Sequence, residues 1–595
     1  MPRPGAPHPI RRAALAGAAC ILALAAASAA PAAEIRAADF GLAGDGVADD
    51  GPALRKAVEA LRAQPPPATL RFEKGRTYRI QSAPETWVLT LKGLHDVTLE
   101  GGGSVFVLDP RFRFVHLDGC TNAAVRGFAL DFDPLPFADG TVVAKDPAGR
   151  SVDVKIHDGF ALPPLGGPTR EREQAYFAML WNPGPNGLLG AHYVLKDTVE
   201  AYPGSLKDRV IRAVAVPGFN GFGGIREGTT RISLPVRGVA HTMQGFGASP
   251  AVVIEENDGV RVEDVSIWSA PLFAVSVARN RGACVFRRFD ILPRPGTTRL
   301  TSSWRDGFHV KGNAASLLWE DCRVEGTNDD AFNTATHSSH VVEVLPPAGL
   351  RIRQTFPLGF VPFRPGDALG GYDVVGGRRF APVKVTEAAA LSPVDPADPD
   401  RRAPLLALTL DRLPPGVKKG DVVWNESSAN PDTTLRRCTI LNSCRFQSPV
   451  TIEDCDITAF CWFYGDNIEG PLPSRVSIRG TRFRVGRGNP ELVAAFTSLL
   501  HGPGGKPAPP TEPVIRDVLL RDNIFDGRLE IGYAADVVLS GNRFPAPRGT
   551  ITIRESRSVR LDGNTLGDAR LERVEQIQVP DEATRRAITV TGSRP

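Results

Sequence analysis

The chain has 595 residues, with 70 Lys or Arg against 66 Asp or Glu, for a formal charge of +4. Hydrophobic residues make up 42% and charged residues 23%, the balance of a folded protein with a core, which excludes a membrane bundle, a coiled coil and a disordered scaffold. The near-neutral charge argues against nucleic-acid binding, which leaves a basic stripe. With 60 Gly and 52 Pro but only 3 Met, the chain favours many turns and short strands over long helices.

Residues 1–33 read as a secretory signal peptide. Arg3, Arg11 and Arg12 precede an apolar run over 13–30, and Ala27-Ser28-Ala29 offers a small-residue cleavage site. The mature protein is therefore expected outside the cytoplasm, secreted or periplasmic. A membrane anchor is the competing reading, and the run is only marginally long enough to span. No later apolar stretch is long enough to cross a bilayer. Without Cys20, seven cysteines remain, an odd count with no C-x-x-C pair for zinc. Most read as small buried hydrophobes. A Cys438–Cys444 disulfide is the alternative in an oxidising compartment.

Residues 34–133 are expected to hold a capping helix and the first coils of a solenoid. Asp50 is placed to cap a helix whose Ala53, Leu54, Ala57, Val58 and Leu61 form one apolar stripe, ended by Pro65-Pro66-Pro67. Such a helix plugs the open end of a repeat array. A pattern of apolar residues with steps of two, three and two then recurs. It runs through Ala123, Val125, Phe128 and Leu130, and again through Val260, Val262, Val265 and Ile267. Further copies start at Cys284, Leu317, Val450, Val476, Val518, Val537 and Val559. Steps of two mark one face of a strand, and the step of three marks a bend. Asn or Gly at the bend, as in Asp522-Asn523, Gly541-Asn542 and Gly563-Asn564, suits a positive φ.

Coils of this kind bury their apolar faces only by stacking. The fold class is all-β: a right-handed parallel β-helix. Two stretches break the rhythm, 134–250 and 341–424. Alternating segments over 141–145, 152–156, 210–216 and 231–236 predict antiparallel strands in the first, and segments over 341–345, 350–354, 383–386 and 405–410 do so in the second. Each predicts a small inserted β-barrel. Residues 251–340 then form the central coils, 425–575 the C-terminal coils and 576–595 a tail.

The chemistry concentrates in Trp304-Arg305-Asp306-Gly307-Phe308-His309 and Thr327-Asn328-Asp329-Asp330-Ala331-Phe332-Asn333. Asp306 and Asp329 are 23 residues apart, close to one solenoid turn, and adjacent coils lie about 4.8 Å apart. The two carboxylates should stand one above the other with Asp330 beside them, and such close like charges raise at least one pKa. A protonated carboxyl next to ionised ones is what glycosidic cleavage requires.

The Asp-x-x-His motif of Asp306 to His309, one coil before Asp329-Asp330-Ala-x-Asn333, resembles glycoside hydrolase family 110 over about residues 39–570. More distantly it is similar to the polygalacturonases of family 28, with their three-Asp arrangement. The opening segment, Asp39-Phe40-Gly41 to Asp49-Asp50, is similar to that of pectin-degrading β-helix enzymes. The resemblance implies an inverting exo-α-1,3-galactosidase built on a β-helix with inserted barrels. It also implies Asp329 as general acid, with Asp306 and Asp330 positioning and deprotonating water. Catalysis is expected to need no cofactor, and a structural ion stays open. His309, Asn333, His337, Trp304 and Glu426 are the expected substrate-binding residues.

Departures from the family pattern are specific. His337 falls late after Asn333, Phe308 and Phe332 are bulky and are expected to reshape the sugar pocket, and Arg445 matches the family's late arginine poorly. One coil of separation also suits the roughly 5–5.5 Å of a retaining pair better than the wider inverting gap. Trp462, Phe463 and Tyr464 are candidates for stacking on a pyranose or for the core. Arg543 to Arg548 matches a pectate-lyase arginine pattern but lies far along the solenoid from the Asp cluster. The partner is expected to be an oligosaccharide or polysaccharide ending in an α-linked sugar, with no nucleic acid and no membrane span once the leader is removed. Self-association stays open. A polygalacturonase-like endo-hydrolase, a pectate-lyase-type lyase and a non-catalytic carbohydrate-binding solenoid are the alternatives.

Overall fold

The computed structural model describes residues 33–163, 176–181, 192–200, 205–215, 225–236, 250–355, 360–391, 404–465, 469–470, 473–487, 491–498, 500–501, 507–508, 510–586 and 588–591. The signal peptide expected over 1–33 lies outside the described residues up to residue 32. No described helix is long and apolar enough to cross a membrane.

The repeat winds into a right-handed parallel β-helix, the hand favoured for parallel crossovers. Residues read as equivalent from the pattern stand in direct register from coil to coil. Ala123, Val260, Cys284 and Leu317 form one column, and Val450, Val476, Val518, Val537 and Val559 form another. A further coil, with Leu435 and Ile440, joins them: Leu435 pairs with Trp319 on one side and Ile452 on the other. It escapes the apolar pattern because its first position is Thr433. All of these inward side chains are buried.

The step of three has a clear backbone origin. Asp264, Arg288, Asp321, Arg437, Asp454, Asp522, Gly541 and Gly563, each one residue before the third core position, have φ between 48° and 64°. The left-handed residue absorbs the extra step and turns the next side chain back inward. The expectation of Asn or Gly at the positive φ holds for Gly541 and Gly563 and is corrected for Asn. The Asn instead follows it and points inside. Asn523, Asn542 and Asn564 build a ladder in which each Oδ1 accepts from the backbone N–H of the preceding rung at 2.9–3.0 Å. A second ladder, Asn257, Asn280, Asn313 and Asn430, repeats this at 3.0 Å per rung. Buried bend amides are thereby paired, as buried polar groups must be.

All seven described cysteines are free and buried, so the Cys438–Cys444 disulfide does not form. Cys438 stacks on Cys455, its backbone N–H 3.3 Å from the neighbour's Sγ, at the bend position that Asn fills elsewhere.

The helix Gly51–Arg62 buries Leu54, Ala57, Val58 and Leu61 against the first coils. Asp50 does not cap it through its side chain, a second correction. Its Oδ1 accepts the Ala43 N–H at 2.6 Å, and it is Asp49 that receives the Gly51 N–H at 3.1 Å. At the other end, residues expected as a tail add the helix Glu582–Arg586 and the strand Ile588–Thr591, which extends the stack on Asp568–Gln578.

Both insertions close into antiparallel barrels. The first runs from Phe137–Lys145 to Arg231–Pro235 and the second from Ser338–Leu345 to Val422–Asn425. The first is tied to the segment leading into Asp306. Asp139, fully buried, accepts hydrogen bonds from Ser233 and, at 2.9 Å, from the Leu300 N–H. Thr301 in turn donates to Ser233 at 3.0 Å.

Candidate active site

Two parallel strands, Phe308–Lys311 and Phe332–Ala335, carry the site, with the turns that precede them. Alternation sends Phe308, Val310 and Phe332 into the core, where Phe308 and Phe332 stack at 5.0 Å. Neither ring lines a sugar pocket, contrary to expectation. His309 and Asn333 are in register on the outer face.

The turn before each strand supplies the carboxylates. Gly307 donates its N–H to the Asp330 carbonyl at 2.8 Å. A Cβ at Gly307 would sit 2.7 Å from the Ala331 carbonyl oxygen, so this approach requires glycine. Asp329 and Asp330 lie in a bend rather than a strand. The Thr327 hydroxyl donates to the Asp329 carbonyl at 2.8 Å, and the Asp330 N–H donates to Asp329 Oδ1 at 3.2 Å. The bend frees these adjacent carboxylates from the opposite-face rule of a regular strand. One oxygen each from Asp306, Asp329 and Asp330 lies within 4.8 Å of the others.

A shell of charge surrounds them. Asp306 is 2% exposed, and its Oδ2 lies 2.7 Å from His309 Nδ1 and accepts from Asn333 Nδ2 at 3.2 Å. Arg305 pairs with Asp329 at 2.9 Å and Arg445 with Asp330 at 3.2 Å. Ser443 also donates to Asp330, at 3.3 Å. Lys311, 6% exposed, donates to Asn333 Oδ1 at 2.8 Å and to Glu469 at 2.9 Å. Arg445 reaches the same Glu469 carboxylate at 3.4 Å. Phe273 stacks on the His309 ring at 4.3 Å.

Burial, reinforced by the Asp329 charge, pushes Asp306 up to about 7. The same two causes push Asp330 well above the carboxylate range, although Arg445 opposes them. Burial and the Lys311 charge drive His309 well down, and His337 down to about 3. Glu469 goes the other way: burial would raise it, but Lys311 and Arg445 outweigh burial and hold it at about 2. The site thus combines carboxyls that keep a proton with one that stays ionised, the split that acid–base chemistry uses. Among the described residues, the three aspartates are the His/Cys/Asp/Glu group close enough to share an ion. Arg305 and Arg445 already supply positive charge there, so the donor set suits proton transfer better than a hard cation.

No family model matches the chain. Among curated proteins, it is 24% identical over 516 residues to alpha-1,3-galactosidase B of Bacteroides thetaiotaomicron, covering 82% of this chain and 75% of that one. It is 22% identical over 531 residues to alpha-1,3-galactosidase B of Akkermansia muciniphila, where it spans 84% of this chain but only 59% of the relative. Alpha-1,3-galactosidase A of Streptomyces avermitilis is 23% identical over 439 residues, 67% of each chain. The chain resembles the alpha-1,3-galactosidases. Among solved structures, the family 28 exopolygalacturonase of Yersinia enterocolitica aligns over 95% of this chain and 78% of its own, at 10% identity and a TM-score of 0.33.

Of the residues singled out from sequence, Asp306, Asp329, Asp330, His309 and Asn333 come together. His337 lies close enough to sense the charges of Lys311, His309 and Glu469. Two others do not serve as expected. Trp304 is fully buried and stacks on Phe137 of the first barrel, so no sugar reaches its ring. Glu426 accepts a hydrogen bond from Trp424 Nε1 at 2.5 Å and belongs to the second barrel's own packing. Sequence reasoning missed Arg305, Lys311 and Glu469, and doubted Arg445. Lys311 was findable, two residues beyond His309 on the same strand face. Glu469 was not, because it arrives from a loop that only the stacking of coils brings back to Lys311.

Proposed function

We propose that the chain is an exported glycoside hydrolase that removes a terminal α-linked galactose, with the α-1,3 linkage first among candidates, and inverts the anomeric centre. The observation that carries the hydrolytic reading is the approach of Asp306, Asp329 and Asp330 to within 4.8 Å, where burial and the Asp329 charge raise both Asp306 and Asp330 so that the pair holds a proton. Resemblance to the alpha-1,3-galactosidases supports the choice of sugar and linkage. The charged and apolar start of the chain supports export.

In this reading the proton held by the Asp306–Asp330 pair reaches the glycosidic oxygen through Asp329, with 21% of its side chain exposed against 2% for Asp306, as the bond to the anomeric carbon breaks. Water adds to that carbon from the opposite face and gives its proton to the Asp306–Asp330 pair, which the first transfer has left ionised, so the cluster ends with the proton it began with. Arg445 and Ser443 hold Asp330 in place, and His309 and Asn333 hold Asp306. His309 and His337, both kept neutral, and the Lys311–Glu469 pair offer donors and acceptors to sugar hydroxyls. The carboxylate spacing is tighter than the roughly 6.5–9.5 Å usual for inversion, so inversion rests on the resemblance.

The test is a screen of nitrophenyl glycosides and α-galactose-ended oligosaccharides, with the first-formed anomer read by proton NMR. β-Galactose appearing first is expected. α-Galactose first would overturn inversion, and no galactose release would overturn the function. Unsaturated products absorbing in the ultraviolet would point to a lyase instead.

A further inference from the structure

Outside the cluster, the strand Cys461–Gly465 breaks the character of the outer face. His309, Asn333 and Arg445 occupy one outward row, coil after coil, and the next residue in that register is Trp462. Trp462 is 39% exposed, and one coil further the row presents only Ala495. Two residues to either side on the same face stand Phe460 and Tyr464, both partly exposed. Their rings lie 5.4 Å and 5.0 Å from the Trp462 ring, forming a continuous aromatic ridge. Phe463, between them in sequence, turns inward and stacks on Phe496 in the core. An outward row of three aromatics on a strand with a buried opposite face contributes nothing to the core, and uncovered apolar surface of this kind marks a binding site.

Its position says what it binds. Ser443, which donates to Asp330, is one coil from Phe460: Cys444 donates its N–H to the Phe460 carbonyl at 3.0 Å. Arg445, which pairs with Asp330, is one coil from Trp462. The ridge therefore continues directly from the carboxylate cluster. Lys311, Glu469, His309 and Asn333 make a polar, enclosed region that suits a sugar read through its hydroxyls. The ridge is open and apolar, and suits the C–H face of a pyranose.

We propose that Phe460, Trp462 and Tyr464 form the subsite for the sugar on the leaving-group side of the scissile bond, with Trp462 as its main platform. This rests on the reading of the chain as an α-galactoside hydrolase. The subsite gives the enzyme a preference for oligosaccharide substrates over galactosides with a small leaving group.

The experiment compares kcat/KM for galactosyl-α-1,3-galactose with kcat/KM for α-galactosyl fluoride, whose leaving group makes no ring contact. In Trp462→Ala the ratio of the two falls about tenfold, and in Trp462→Phe it largely returns. A ratio unchanged in Trp462→Ala, with both substrates turned over, overturns the subsite and leaves the function standing. A wild-type protein that cleaves neither substrate overturns the function and the subsite together.

Discussion

Asp306 stands level with Asp330, not with Asp329. The bridge from Ser303 to Thr327 and the pairing of Phe308 with Phe332 both set a 24-residue offset between these coils. The spacing of 23 that joins Asp306 to Asp329 is one residue short of it. Asp330 is accordingly the level partner of Asp306, and Asp329 sits beside them, slightly more exposed and paired with Arg305.

Asp329→Asn and Asp330→Asn each lower kcat by about 10²–10⁴ if these carboxylates act as acid and base. Circular dichroism should match the wild type, since neither side chain packs in the core. A variant that keeps full activity would remove that residue from the mechanism.

Asp306→Asn stabilises the fold in a pH-dependent way. Asp306 titrates at about 7 folded, against 3.8 unperturbed. Below about pH 4 it is protonated in both states. Between about 4 and 7 the unfolded chain gives up the proton while the folded one holds it, so wild-type stability drains as pH rises and then levels off. The variant lacks this loss. Its melting temperature relative to wild type should climb from pH 4 to pH 7 and stay flat above; a constant difference would place the Asp306 pKa elsewhere.

Glu469→Gln leaves the Lys311 ammonium buried without its carboxylate and should cost about 3 kcal/mol in chemical unfolding. Adding Lys311→Met should recover part of that loss. A double-mutant cycle in which the two changes simply add would show that the pair is not coupled.

Asn313→Ala removes a central rung. The Asn280 N–H loses its acceptor, and the Val277 carbonyl and Asn430 lose a donor. A loss of about 2 kcal/mol is expected from such buried unpaired groups. An exposed change such as Leu519→Ala, on the outer face, should cost far less. Equal losses at the two sites would deny the ladder any special role.

The buried cysteines predict that thiol reagents fail to label the native protein, and that reduction leaves its melting temperature unchanged. A melting temperature that falls on reduction would show a disulfide.

The solenoid was legible because its coils repeat one constraint. Inward positions must be apolar at steps of two, and the left-handed bend adds one residue, so Val260 and Cys284 can be aligned by eye and prove to be neighbours. The barrels were legible as interruptions with a strand period. The coil at Thr433 was not, since a single polar residue at the opening position hides it. In the site, Asp306, His309, Asp329, Asp330 and Asn333 announced themselves as polar residues crowded at the starts of consecutive strands.

Sequence by itself determined which segments stack and which residues face out, because alternation along a strand is a local property. Tertiary structure alone decided the exact register, and with it whether Asp329 or Asp330 opposes Asp306. A one-residue shift changes every neighbour, and the bends that set it are spread over whole coils. It also decided the fate of the remaining candidates. Trp304 went under the first barrel and Glu426 into the second, while Glu469 returned from a distant loop to join Lys311 and Arg445. Burial and ion pairing depend on what the rest of the chain packs against a side chain, and no local pattern encodes that.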